Sequence, residues 1–377
     1  MRVRQIRSVI LNTLYLIMPK VNLRLDSIAE DKEEIIILNF DSLGDNILFS
    51  SVIKSLRKSF PHATITLICK KACIELYANC SEIDQIRVLR KKLFPFGSTA
   101  QDHFRKFFIY IWLLFQFRGK VSKIIGPSWL MCDTQKEILN NFYQRICPRK
   151  LSTMSDSEWN IVNRSHQVPR MLGIAKIYGA VYTESKIFNW LNPPKVHNKI
   201  TNKKRELIIA LGAGHASREY GLTNLLSLIN LLKSQGEFKK VLIVGKSRMI
   251  SYYNELRTFC GSQTSVFDFV DKLDLKETLN LIEDSELCVS NDSGIAHLAA
   301  TVHKPVIVIS AHAKDMDPWH LHSPNRYHPW GTTHVVLQPE HGLVGCKDAC
   351  LAAIPHCINQ IEPANILEMV TKISSGV

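Results

Sequence analysis

The stretch Glu286-Leu287-Cys288-Val289-Ser290-Asn291-Asp292-Ser293-Gly294-Ile295-Ala296-His297-Leu298-Ala299-Ala300-Thr301-Val302-His303-Lys304-Pro305-Val306-Ile307-Val308-Ile309 decides the reading of this chain. A short apolar run, Leu287 to Val289, ends in small polar residues, and a small-residue helix holding Ala296, Leu298, Ala299 and Ala300 follows. Pro305 then opens a second apolar run. The order is strand, turn, helix N-terminus, strand. At such a turn the N–H groups of the first helical turn and the helix dipole favour an anion, most often a phosphate. Asp292 and Ser293 are residues of the capping type, Gly294 lets backbone approach a ligand closely, and His297 lies one turn further along the same side. An ordinary N-cap followed by a core histidine fits the same residues, so the choice falls to the rest of the chain.

Far upstream, Ile35 to Leu38 reads as a buried strand and leads into Asn39-Phe40-Asp41-Ser42-Leu43-Gly44-Asp45-Asn46. Ile47, Leu48, Val52, Ile53, Leu56 and Phe60 then recur at helical spacing until Pro61, and Thr64 to Cys69 alternates like a strand. This predicts a βαβ unit whose first loop carries Gly44-Asp45 at a helix start, just outside the carboxyl end of a parallel strand, where open α/β sheets place their chemistry. Asp45 is either a helix cap or a reactive carboxylate. Strands are expected at Gln85 to Leu89 and Val121 to Ile125, and helices at Gln101 to Phe117, Gln135 to Ile146 and Asn160 to Tyr178. Periodicity is lost between Trp190 and Arg205, around Asn192-Pro193-Pro194, which marks a linker. A second α/β series follows: strand Leu207 to Leu211, turn Gly212-Ala213-Gly214, a helix through Leu225 and Leu232, strands at Val241 to Val244 and Ser265 to Phe269, and a helix from Leu273 to Ile282. Two α/β domains of similar size are therefore expected to face each other.

At 377 residues with 46% hydrophobic residues and a mean hydropathy of -0.02, the composition is that of a soluble globular protein of two domains. A net charge of +13 and a pI near 9.2 suit an anionic partner: nucleic acid, anionic lipid, or a phosphorylated or acidic sugar. Ten cysteines form no dense framework, and the apolar run Val9 to Met18 behind Arg2, Arg4 and Arg7 ends in Pro19-Lys20 instead of a cleavage site, so a reduced, cytoplasmic location is expected. That run, and the aromatic helix flanked by Arg105, Lys106, Arg118 and Lys120, are both shorter than the ~20 residues of a membrane span. Each suits either packing on its own domain or contact with an anionic membrane surface.

Gly212-Ala213-Gly214-His215 is only a loose dinucleotide fingerprint, because Ser217 stands where a third glycine belongs. Arg218 nonetheless puts a guanidinium beside a turn rich in backbone donors. Taken together in order, Ser42-Leu43-Gly44-Asp45, Gly212 to Arg218, and Asn291 to Ala300 with Pro305 resemble glycosyltransferase family 9, the bacterial lipopolysaccharide heptosyltransferases, from about Ile35 to Ile366. The resemblance implies an α/β GT-B architecture of two Rossmann-like domains across a cleft. It implies an inverting, metal-independent transfer with Asp45 as catalytic base, and Gly44, Gly212, Gly214, Arg218, Asp292, Ser293, Gly294 and His297 around the donor.

Divided on that basis, the chain has a basic N-terminal segment (1–30), an acceptor-binding domain (31–190), a linker (191–205), a nucleotide-sugar domain (206–361) and a last helix (362–377) that crosses back to the first domain. The implied partners are a nucleoside diphosphate sugar, with ADP-heptose the family's donor, and an anionic glycolipid or lipopolysaccharide core at the inner face of the cytoplasmic membrane. No nucleic-acid partner, cofactor or metal is expected. Two departures stand out: Arg218 replaces the family's usual lysine, and Lys246-Ser247-Arg248 follows a strand where the family often has an acid for the ribose. Asp315-Met316-Asp317 has the DXD spacing of metal-dependent transferases but reads as a surface loop. Cys346, Cys350 and Cys357, near His341 and His356, do not match a standard zinc spacing and read as buried thiols. The rival readings are a non-catalytic binder of anionic lipid or nucleic acid, which lacks any clustered basic motif, and an NAD-dependent Rossmann enzyme, which lacks the third glycine.

Overall fold

The computed structural model describes residues 33–89, 123–125, 164–191, 205–246, 250–320, 322–350 and 352–375. The basic segment 1–30, the helices expected at 101–117 and 135–146, and the linker between 192 and 204 lie outside the described residues.

Among the described residues, runs of β-branched and aliphatic residues form ten strands in two sheets. In the first sheet β1 (Glu34–Asn39), β2 (Thr64–Lys70), β3 (Gln85–Leu89) and β4 (Lys123–Ile125) pair in the order β3-β2-β1-β4, all parallel. Helices α1 (Leu43–Leu48), α2 (Ser50–Ser59) and α3 (Gln167–Ile177) belong to this half. The single helix expected from Ile47 to Phe60 is interrupted at Phe49, and Phe60 falls outside it. Next to the joint, the hydroxyls of Ser50 and Ser51 donate back to the carbonyls of Ile47 (2.6 Å) and Leu48 (3.0 Å), a pattern that bends helices.

The second sheet holds β5 (Glu206–Leu211), β6 (Lys240–Gly245), β7 (Val266–Asp268), β8 (Leu287–Asn291), β9 (Val306–Ile309) and β10 (His334–Leu337), again all parallel, in the order β10-β9-β8-β5-β6-β7. Its helices are α4 (Leu222–Gln235), α5 (Ile250–Gly261), α6 (Leu275–Asp284), α7 (Gly294–Ala300), the short α8 (Pro324–Tyr327) and α9 (Pro363–Ser375). Strand β10 has no counterpart in the expected elements, since only three apolar residues, none fully buried, announce it.

Period-two alternation divides the second sheet between two cores. Leu207, Ile209, Val241, Ile243, Leu287, Val289, Ile307 and Ile309 face one core together with α4, while Ile208, Ala210, Leu242, Val244, Cys288, Val306 and Val308 join a core that continues into the first domain. The residues of α7 carry that continuity: Ala296, Leu298, Ala299 and Ala300 pack in the same cluster as Ile47, Leu48 and Val52. The last helix departs from expectation. Ile366 and Val370 are fully buried in the core of the second sheet, and among the described residues α9 packs chiefly on α4 of the second domain.

Topology places the key loops. In the first sheet the chain runs outward from β1 to β3 and then returns to the other side of β1 as β4. In the second sheet β5 has β6 on one side and β8 on the other. Both are switch points, where loops diverge and leave a crevice at the carboxyl ends of the strands. The loops after β1, β5 and β8 are the three motif loops.

Candidate active site

The three loops converge on one cleft of about 460 Å³ between the two sheets. All nine candidate residues line it: Asp45 and Gly44 from the first domain, and Gly212, Gly214, Arg218, Asp292, Ser293, Gly294 and His297 from the second. Ser42, from the first motif, and Lys246, noted in the sequence as a departure from the family pattern, line it as well, together with His322 and Tyr327, which no sequence motif marks. Lys246 had a signal, its place directly after a strand-ending glycine. His322 and Tyr327 come from a histidine-rich stretch with no periodicity to place it.

On the first-domain wall, Ser42 starts α1 and Asp45 is its third residue, so the two form a capping box. Asp45 Oδ2 accepts from the Ser42 N–H (3.2 Å) and from the Ser42 hydroxyl (2.6 Å). The cap and the candidate reactive carboxylate are thus the same group, and its other oxygen, Oδ1, takes no part in the cap. Fully buried Asn46 fixes the loop from behind: its amide donates to the carbonyls of Ser42 (2.8 Å) and Asp41 (3.2 Å), and its Oδ1 accepts from the Tyr77 hydroxyl (2.8 Å). Burial raises the Asp45 pKa above its ordinary value, while the Ser42 hydrogen bonds and the positive charges of Lys70 and Arg218 pull the other way.

On the opposite wall, Gly212 adopts a φ of +82°, and a Cβ there would collide with the Lys246 carbonyl. A Cβ on Gly214 would occupy the place of the Arg218 guanidinium, so the second glycine of the turn is the seat of the arginine. Arg218 Nη1 lies 3.5 Å from Asp292 Oδ2. Burial raises the Asp292 pKa, Arg218 lowers it, and the negative charge of Asp45 raises it further, so the two acids sense one another across the cleft. Asp292 is therefore placed to orient Arg218 more than to meet an anion itself. Ser293 occupies the N-cap of α7 without a side-chain cap bond, and its hydroxyl meets that of Ser290 at 3.2 Å, contrary to the capping role its residue type suggested.

His297 is buried against the first domain, with its ring over Gly44, and its Nδ1 has no hydrogen-bond partner among the described residues. Burial, with the neighbouring His328, lowers its pKa to about 4, so it is neutral near pH 7. His322 is likewise lowered to about 4, by burial and then by Arg218. Asn291 joins the loops after β8 and β5, its Oδ1 accepting from the Tyr220 N–H at 3.1 Å.

The DXD-spaced acids are occupied elsewhere. Asp315 accepts from the Gly342 N–H (3.0 Å) and faces His341, while Asp317 accepts from the Trp319 N–H (3.0 Å), and neither lines the cleft. The cysteines at the end of the chain differ from the reading as buried thiols: outside the cleft lining, Cys346, Cys350 and Cys357 gather with His356, one of the two histidines noted near them, and all four ligand atoms lie within 4.8 Å of one another.

Comparison with known proteins bears on this site. Residues 164–338 match the family model described as glycosyltransferase family 9 (heptosyltransferase). Lipopolysaccharide heptosyltransferase 1 of Campylobacter coli is 26% identical over 112 residues, which cover 29% of this chain and 33% of that protein. The chain thus aligns with about a third of the length of that curated relative. Among solved structures, the ADP-heptose lps heptosyltransferase II of E. coli aligns with a TM-score of 0.58 at 14% identity, over 91% of this chain and 99% of that one. The iron-containing dodecameric glycosyltransferase TibC of enterotoxigenic E. coli aligns with a TM-score of 0.52 at 14% identity, over 91% and 76%. These likenesses identify the two-sheet arrangement as the GT-B fold.

Proposed function

We infer that this chain, which belongs to glycosyltransferase family 9, moves a sugar from a nucleoside diphosphate donor to a hydroxyl of a lipopolysaccharide core or related anionic glycolipid, with inversion at the anomeric carbon. One observation carries the reading: a carboxylate from the first domain, Asp45, shares a cleft with a guanidinium, Arg218, and a glycine-rich helix start, Ser293-Gly294, from the second. A base and an anion seat on opposite walls are what an in-line displacement requires.

In this mechanism Asp45 takes the proton of the acceptor hydroxyl as its oxygen bonds to the anomeric carbon. The bond from that carbon to the diphosphate oxygen breaks on the opposite face. The leaving diphosphate gains negative charge as it departs, and Arg218 with the first N–H groups of α7 receives it. Desolvation of Asp45 favours proton uptake, which strengthens it as a base, and the Ser42 bonds fix its direction. The scheme requires no metal at the reacting atoms. Heptose as the sugar and ADP as the nucleotide are supported by the family match and by the similar E. coli enzyme, an ADP-heptose lps heptosyltransferase.

Among the described residues no helix is long and apolar enough to cross a membrane. From the net charge of +13 we propose peripheral attachment to the inner face of the cytoplasmic membrane through basic residues, with Arg2, Arg4, Arg7 and the 105–120 stretch as the contacts. Calorimetry with a panel of nucleotide sugars tests the donor: binding of ADP-heptose in preference to UDP- and GDP-sugars supports the reading, and absence of binding by any nucleotide sugar contradicts it.

A further inference from the structure

Cys346 and Cys350 lie in the loop that follows β10, and His356 and Cys357 lead into the short 3-10 turn Cys357–Gln360. His356 Nδ1 stands 3.5 Å from Cys346 Sγ, 3.7 Å from Cys350 Sγ and 3.6 Å from Cys357 Sγ. A ring nitrogen carries at most one proton, so it cannot hydrogen-bond three thiols at once, and three near-equal distances are not a hydrogen-bond pattern. They match the nitrogen–sulfur edges of a tetrahedral site, and the four ligand atoms all lie within 4.8 Å of one another. With metal–sulfur bonds of ~2.3 Å and a metal–nitrogen bond of ~2.0–2.1 Å, a four-coordinate site has N···S edges of ~3.5–3.6 Å.

We propose that Cys346, Cys350, His356 and Cys357 form a closed, four-coordinate transition-metal site whose role is to anchor the turn that carries Arg218. Three thiolates and an imidazole select zinc or iron over calcium or magnesium, and four protein ligands leave no open position for a substrate. The surrounding backbone supports such a site. The Leu343 N–H points at Cys357 Sγ (3.4 Å), the kind of outer contact that steadies a thiolate ligand, and Gly345 turns the chain into Cys346 with a φ of +88°.

The link to the cleft is short. The buried Ser217 hydroxyl donates to the Cys350 carbonyl (2.9 Å) and lies 2.9 Å from His215 Nδ1. Asn359, two residues after Cys357, accepts from the Gly221 N–H (3.0 Å) and receives the Asn224 amide on its carbonyl (3.0 Å). The segment that the four ligands gather thus holds the short 3-10 turn Ala216–Arg218 at its middle residue, Ser217, and holds the chain just after it at Gly221 and Asn224. The site lies outside the reaction scheme proposed above, and its test does not depend on that scheme.

The full chain, expressed with zinc and iron both supplied and purified without a metal-affinity step, is analysed for metal content by mass spectrometry. We expect about one equivalent per chain of zinc or iron, the element found deciding between them, and intense visible thiolate-to-metal bands once cobalt replaces it. Cys350→Ser and His356→Ala should each lose the metal. Because such variants can also lose their fold, a second measurement uses the wild-type chain alone. Removal of the metal by a chelator under reducing conditions should raise backbone hydrogen exchange across residues 212–221 about tenfold, with the first-domain sheet unchanged. A wild-type chain that carries no transition metal and takes up neither zinc nor cobalt overturns the site. Metal removal with unchanged exchange at 212–221 overturns its anchoring role.

Discussion

Gly44 and Gly294 meet across the cleft: a Cβ placed on Gly294 would stand 3.1 Å from the Gly44 nitrogen and 3.1 Å from the Leu43 side chain. Each begins or nearly begins a short helix, α1 in one domain and α7 in the other, so two helix starts approach as closely as backbone allows. This contact brings Asp45 to within electrostatic reach of Arg218 and Asp292. Gly44 also carries the His297 ring, since a Cβ there would lie 2.7 Å from its Cδ2. Gly44→Ala therefore has to displace a buried ring or part the two helix starts. We expect a loss of about 1–3 kcal/mol of stability and a larger fractional loss of turnover than of donor affinity. Thermal denaturation with steady-state kinetics checks this, and an unchanged melting temperature together with unchanged turnover would contradict it.

Arg218 and Gly214 form a matched pair on the donor side. Arg218→Ala removes the cation, and Gly214→Ala leaves the charge but evicts the guanidinium from its seat. Both should raise the donor dissociation constant, Arg218→Ala by about ten- to a hundredfold. Arg218→Lys should recover part of the affinity, because the charge remains and the planar fork does not. Titration calorimetry reads all three, and donor affinity insensitive to Arg218→Ala would remove this residue from the donor site.

Buried histidines set an acid limit on stability. His297 is depressed from 6.5 to about 4, so between those values the unfolded chain binds a proton that the folded chain does not, and stability falls as pH drops through that window. For His297 alone the full effect is up to about 3 kcal/mol. His322, depressed to about 4, and His166, depressed to about 2, act in the same direction. Chemical denaturation should show stability level above about pH 6.5 and declining towards pH 4, with a shallower decline in His297→Gln. Turnover should have an acid limb above the ordinary carboxylate value of 3.8, because Asp45 must be ionised to act and burial raises its pKa. A rate that is flat through the acid range would remove Asp45 from the rate-limiting step.

The fold was largely legible because its signals are local. The alternation of β5, β6, β8 and β9 appears in the sequence as short aliphatic runs, and the same alternation divides the second sheet between its two cores. The motif loops were legible for a related reason, since small residues after a buried strand have few other uses. What the sequence concealed was pairing at a distance. Nothing local says that Gly44 faces Gly294, that Gly214 is a seat for Arg218, or that His356 completes a set with three cysteines. Asn46 was passed over because a polar residue in a helix looks solvated until Tyr77, 31 positions on, is found bonded to it. Strand β10 was too short and too little buried to register. The return of the last helix to the first domain was implied by the resemblance alone, and its apolar face fixes that it packs but not against which domain.

The proposed attachment to a membrane rests on charge. Deleting residues 1–20 removes Arg2, Arg4 and Arg7, each worth roughly 1 kcal/mol near an anionic surface. Binding to anionic liposomes should weaken, more so at low salt, and activity on a membrane-embedded acceptor should fall while activity on a soluble, truncated acceptor persists. Equal loss on both acceptors with unchanged liposome binding would contradict membrane contact.

The central claim is that Asp45 is the base and acts on a donor held by the other domain. Asp45→Asn keeps the shape of the side chain and can keep a bond to Ser42, so the loop is preserved while the proton acceptor is lost. Turnover and donor affinity measured side by side on this variant test the claim most directly. We predict turnover lowered by about two orders of magnitude or more, with the dissociation constant for ADP-heptose within about threefold of wild type. Wild-type turnover in Asp45→Asn, or a loss of donor affinity that by itself accounts for the drop in rate, would contradict it.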